Sequence, residues 1–137
     1  MFIKGKKRHV ATLTATLALT LGFAGTATAT EAGAAASARG DACRTVVTSN
    51  SAGKVYVCWN WYPNSSGNYN GRFHGTFYDL NPKDGRWVIL QARWKGQGWT
   101  PVATAANGGN FDRDYTNLRD LNFRACLTGG YCGSPAV

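Results

Sequence analysis

The 137-residue chain has little of what most catalytic sites are built from. Histidine occurs twice, and His9 belongs to a basic N-terminal head, which leaves His74 as the single imidazole of the body of the chain. Glu31 and Asp41 lie in a small-residue tail, so the carboxylates that follow it are Asp79, Asp84, Asp112, Asp114 and Asp120. A glycosidase needs two carboxylates facing each other across a cleft, and an aspartate before a glycine, as in Asp84-Gly85, is ordinary turn chemistry. Gly-x-Ser-x-Gly is absent, which removes the nucleophile elbow of serine hydrolases. No Cys-x-x-Cys exists, and Cys126 and Cys132 have five residues between them. With one histidine to join them, that spacing does not make a zinc framework. Asp112-Arg113-Asp114 reproduces only a fragment of a calcium loop, with Arg113 where a cation would be repelled. The expectation is a protein that is not an enzyme and holds no metal or cofactor.

Two further absences narrow the class. After Arg8 no three basic residues stand in a row, unlike the clustered stripe of a nucleic-acid binder. Nor is there an uninterrupted apolar run of about 20 residues, the length needed to span a bilayer. The nearest approach, residues 10–24, is broken by Thr12, Thr14, Thr16 and Thr20. That stretch follows Lys4, Lys6, Lys7 and Arg8 and precedes Ala27-Thr28-Ala29, the order of a secretory signal peptide. The leader is expected over residues 1–29, with cleavage as late as residue 38 also consistent. Residues 30–42 read as an unstructured linker and 43–137 as one domain. The expected product is secreted, extracellular, monomeric and free of integral membrane association. Four of the 15 basic residues leave with the leader, so 11 face 7 acidic ones. The net charge falls from +8 to a modest positive value.

What is present is β texture. Short runs rich in β-branched and aromatic residues alternate with Gly, Asn, Asp, Pro and Ser clusters. The runs span 44–48, 54–62, 72–80, 86–94, 99–106 and 118–127, and helical periodicity is missing from all of them. Val88, Leu90, Ala92 and Trp94 share one side of their run, as do Phe73, Gly75 and Phe77, and Leu121, Phe123, Ala125 and Leu127. Asn122 and Arg124 fall on the opposite side. The fold expected is a small antiparallel all-β sandwich of six or seven strands.

All four cysteines lie in the exported part, where disulfides persist. Three pairings are open to them. Cys43 and Cys58 are nearly symmetric about Asn50-Ser51, which favours Cys43–Cys58 with Cys126–Cys132. The chain-entropy argument gives ~3 and ~2.4 kcal/mol for these loops. The rival Cys58–Cys126 bridge would join the two sheets.

Aromatic residues carry the functional signal. Five tryptophans and six tyrosines stand in this chain, and an aromatic ring on a β face offers an apolar body with a polar tip, which suits sugar rings. The outward set expected to bind a ligand is Tyr62, His74, Tyr78 and Trp87, with Arg72 and Arg93 as donors. Asn64-Ser65-Ser66 is a glycosylation sequon.

Val55-Tyr56-Val57-Cys58, Gly75 to Leu80, Val88 to Trp94 and Phe123-Arg124-Ala125-Cys126 resemble the small secreted β-sandwich proteins of actinobacteria such as Streptomyces. That resemblance covers nearly the whole exported region and implies a fold and a compartment, with no activity attached. A second comparison is the actinobacterial α-amylase inhibitor sandwich, also small and two-disulfide. Its Trp-Arg-Tyr triplet has only Gly85-Arg86-Trp87 and Ala92-Arg93-Trp94 as counterparts here. Three functions follow as expectations. The first is a binding module for polysaccharide or cell-wall polymer. The second is an inhibitor of a secreted hydrolase, acting through a stiff loop at 81–85 or 127–133. The third is a structural surface protein.

Overall fold

A computed structural model describes residues 38–137; the expected signal peptide and most of the expected linker lie outside the described residues. Seven strands follow in order: β1 (Gly40–Val47), β2 (Gly53–Pro63), β3 (Tyr69–Asp79), β4 (Val88–Trp94), β5 (Gln97–Ala105), β6 (Asn110–Leu118) and β7 (Asn122–Leu127). A 3₁₀ turn, Pro82–Asp84, precedes Gly85, whose φ of 69° is left-handed. This is the joint where proline followed by glycine predicts a turn.

Pairing is antiparallel throughout and divides the strands into two sheets, one ordered β1-β2-β3-β6 and the other β5-β4-β7. Alternation decides which side chains meet between them. Val55, Val57 and Trp59 of β2 and Phe73 and Phe77 of β3 are buried against Val88, Leu90 and Ala92 of β4 and Phe123, Ala125 and Leu127 of β7. Phe123 is the pivot, with its ring centroid 5.3 Å from Trp59 and 5.2 Å from Phe73. The sandwich expected from the pattern is present.

Both favoured disulfides are present. Cys43 and Cys58 are direct register partners in β1 and β2, with Cα atoms 4.0 Å apart. Cys126–Cys132 closes the turn after β7. It returns the chain alongside that strand, where Gly133 N donates to Ala125 O and Ala136 N to Phe123 O, each at 2.8 Å. Gly133 passes so near β1 that a Cβ there would stand 1.7 Å from Val47 O. The terminal segment thus covers an edge of β7 that would otherwise offer unpaired backbone groups.

Three expectations need correction. Strand β1 begins at Gly40, so residues 40–42 belong to the sheet and not to a linker. Residues 110–117, left outside the expected runs and bearing the calcium-like fragment, form β6 together with Leu118, and the run 118–127 holds the last residue of β6, a turn and β7, the two strands lying in different sheets. Strand β6 lies at a sheet edge, where Phe111 and Tyr115 alone are buried and its polar residues face water, so its composition mimics a loop. The turn between β6 and β7 places Asp120 at a φ of 58°. Asn122 and Arg124, expected on the solvent side, are covered: Asn122 is buried and Arg124 half-buried. Asn122 donates to Val137 O and accepts from Val137 N, fastening the chain terminus.

Candidate functional site

The six residues expected to bind do not form one surface. Tyr62, Arg72, His74 and Tyr78 project from the outer face of the four-stranded sheet, where cross-strand partners form rows: Lys54 opposite Tyr78, Cys58 opposite His74, and His74 opposite Asp112. Trp87 and Arg93 alternate with the buried residues Val88 and Ala92 and so face outward from the other sheet.

Most groups on the first face already have protein partners. Arg72 forms a two-pronged ion pair with Asp112, and Asp114 approaches its Nε at 4.0 Å. The hydrogen bonds from Arg72 hold the Asp112 carboxyl below the usual carboxylate range, and the same contact raises the Arg72 pKa. Lys54 stands 5.1 Å above the Tyr78 ring. Asp112 serves its neighbouring strand in this way, which accounts for the acidic fragment in β6. Among the described residues no three metal-ligating side chains converge.

A concavity walled by aromatic side chains lies elsewhere. At one end of the sandwich β1 begins, β2 ends, β3 begins and β6 runs over into β7. The sheets part there around a cleft of about 520 Å³, within the roughly 300–1,000 Å³ common for small-molecule sites. Trp59 and Tyr115 form its floor; Trp61 and Tyr69 stand at the side, and Leu118 and Leu121 close the arch made by the β6–β7 turn. Arg44, Asp41 and Asp120 bring charge to its mouth, and all three are exposed.

Backbone geometry fixes the aromatic walls. The Trp61 ring lies flat over Gly40, its register partner, where a Cβ would come within 2.2 Å of Cζ2. A side chain at Gly71 would likewise meet Asn60 O at 2.1 Å and Tyr115 Cζ at 2.7 Å. Tyr115 donates its hydroxyl to Asn60 O at 2.7 Å, and its pKa is pushed up to about 12 by burial, with Tyr62 adding to it. Beside the cleft, Asn64, Asn68, Asn70 and Asn117 bind one another through their side-chain amides, tying the β2–β3 loop to β6. The sequon asparagine, Asn64, is thereby engaged at both ends of its amide.

Sequence reasoning missed this cleft for a physical reason. Trp59 and Trp61 share the inward side of β2, and that periodicity marks core equally well as a binding wall. Tyr115 went unseen because β6 was not read as a strand. The usable signal was that two adjacent inward tryptophans end a strand beside a loop, where a thin sandwich runs out of opposing side chains. Comparison with known proteins finds no matching family model, no similar curated protein and no similar solved structure.

Proposed function

We propose that this protein is a secreted, non-catalytic binding module for a polysaccharide or cell-wall polymer, and that the cleft rather than the outer faces takes the sugar. One observation carries the reading: Trp59, Trp61, Tyr69 and Tyr115 converge on a single concavity whose mouth holds hydrogen-bonding charged groups. Aromatic rings bury the apolar faces of sugar rings, while Asp120 accepts from hydroxyl groups and Arg44 donates to them. Two disulfides within about 100 residues suit a protein that works outside the cell. Retention on immobilised cell-wall and plant polysaccharides tests the reading. Wild-type protein is retained, and Trp61→Ala, with an unchanged far-UV spectrum, is released. Equal retention of the two would remove the cleft as the site.

A second reading has its own support. In the loop between Cys126 and Cys132, Tyr131 is exposed at a φ of 58°, with the Arg86 guanidinium 4.5 Å over its ring, and its carbonyl accepts from Ser49 N at 3.0 Å. A rigid loop presenting one aromatic side chain is what a hydrolase inhibitor offers. Recovery of a hydrolase on the immobilised protein, lost on Tyr131→Ala, would favour it.

A further inference from the structure

Charge is divided unequally between the two sheets. Strands of the four-stranded sheet carry Asp41, Asp79, Asp112 and Asp114. Strands of the three-stranded sheet carry no carboxylate at all, and two arginines, Arg93 on β4 and Arg124 on β7. Both arginines stand on the sheet's outer face, Arg93 exposed and Arg124 half-buried, and both reach the same ring: the guanidinium carbons stand 4.8 Å (Arg93) and 4.5 Å (Arg124) from the centroid of Trp99 on β5. Gln91, the register partner of Arg124, accepts from its Nε at 2.9 Å and fixes it in place. Both ion pairs found among the described residues use Arg72, so neither Arg93 nor Arg124 has a carboxylate partner there. Burial, and then Arg93, draws the Arg124 pKa below its ordinary value.

Two like charges held against one indole repel each other, and the ring offsets only part of that cost. Oxyanions held by them would offset the rest, because guanidinium forks match planar or tetrahedral oxyanions with paired hydrogen bonds. We propose that Arg93 and Arg124, seated on Trp99, form a binding site for the oxyanion groups of an acidic polysaccharide. This site is separate from the cleft and stands or falls without it. In the turn after β4, Lys95 N donates to Arg119 O at 2.8 Å, which sets two further basic residues side by side. Nucleic acid is the lesser fit, because a duplex or single strand calls for a longer basic track.

Calorimetry at low salt against polygalacturonate, dextran sulfate, unsubstituted dextran and single-stranded DNA tests the proposal. The folded wild type binds at least one acidic polysaccharide, and Arg93→Gln weakens that binding about tenfold, as expected for losing one charge-assisted contact. Arg124→Gln does the same, while Arg93→Gln, altering an exposed side chain, keeps the test valid if the former is unstable. Preference for polygalacturonate assigns carboxylate as the ligand group; preference for dextran sulfate assigns sulfate. Trp61→Ala leaves this binding intact, which separates it from the cleft. Unchanged affinity in the Arg93→Gln/Arg124→Gln double variant would overturn the proposal. So would DNA binding of equal strength, equal binding of neutral dextran, or no binding to either acidic polymer.

Discussion

The hydroxyl of Tyr115 donates to the carbonyl oxygen of Asn60 at 2.7 Å, joining β6 to β2 across the intervening strand β3. The bond passes over Gly71, which has no side chain to block it. An edge strand is thereby fastened to the centre of its sheet, and one wall of the cleft is set. Removing the hydroxyl with Tyr115→Phe leaves Asn60 O short of a partner and costs about 1 kcal/mol in denaturant unfolding.

The same residue gives the fold an alkaline limit. Its pKa rises from 10.0 in the free side chain to about 12 in the fold. A raised value means that the neutral form is favoured in the folded state. Its stability contribution is therefore complete below pH 10 and is lost as pH climbs toward about 12. Thermal unfolding across that window falls more steeply for wild type than for Tyr115→Phe, and the tyrosinate absorbance that Tyr115→Phe removes is the part that develops near pH 12.

Glycine is required at Gly75 and not at Gly67. A Cβ at Gly75 would sit 1.9 Å from Tyr56 O and 2.7 Å from Phe111 Cζ, so Gly75→Ala must push β2 and β6 apart. A loss of about 3 kcal/mol or more is expected, comparable to other overpacked cores. At Gly67 nothing lies within 4 Å, and only the φ of 74° resists a side chain. Gly67→Asn costs less than about 1 kcal/mol. Chemical denaturation of the two variants measures the contrast.

Either disulfide can be removed alone, and the larger loop matters more. Replacing Cys43 and Cys58 by serine lowers stability by ~3 kcal/mol, and replacing Cys126 and Cys132 by ~2.4 kcal/mol, on the chain-entropy argument. The second change also frees the segment that covers β7, so amide exchange at Ala136, whose N–H bonds Phe123 O, quickens in it and not in the first.

Sequence alone was enough for the strands whose two faces differ. The phenylalanines of β3 and the alternation of β4 place their own core residues, because one face is buried and the other is wet, whereas β2, with aromatic residues on both faces, stays ambiguous until its partners are known. It was not enough for β6, where burial of only Phe111 and Tyr115 leaves a polar pattern that turns also produce. Nor could it show that Tyr62, His74 and Tyr78 lie on one surface and Trp87 and Arg93 on another, since strand order assigns faces and strand order is a long-range fact. Cysteine spacing succeeded because Cys43 and Cys58 flank a hairpin, whose register is local. Trp99, hidden behind a Gly-Gln-Gly turn, gave no sign that two arginines from other strands would meet on it.

The cleft is tested most directly by the five tryptophan indole N–H resonances during titration with a soluble oligosaccharide from a polymer that retains the protein. The prediction is that signals from Trp59 and Trp61 shift in saturable fashion while those of Trp87, Trp94 and Trp99 hold still. Saturable shifts at Trp87 with Trp59 and Trp61 unmoved would contradict it and return the binding surface to the outer face.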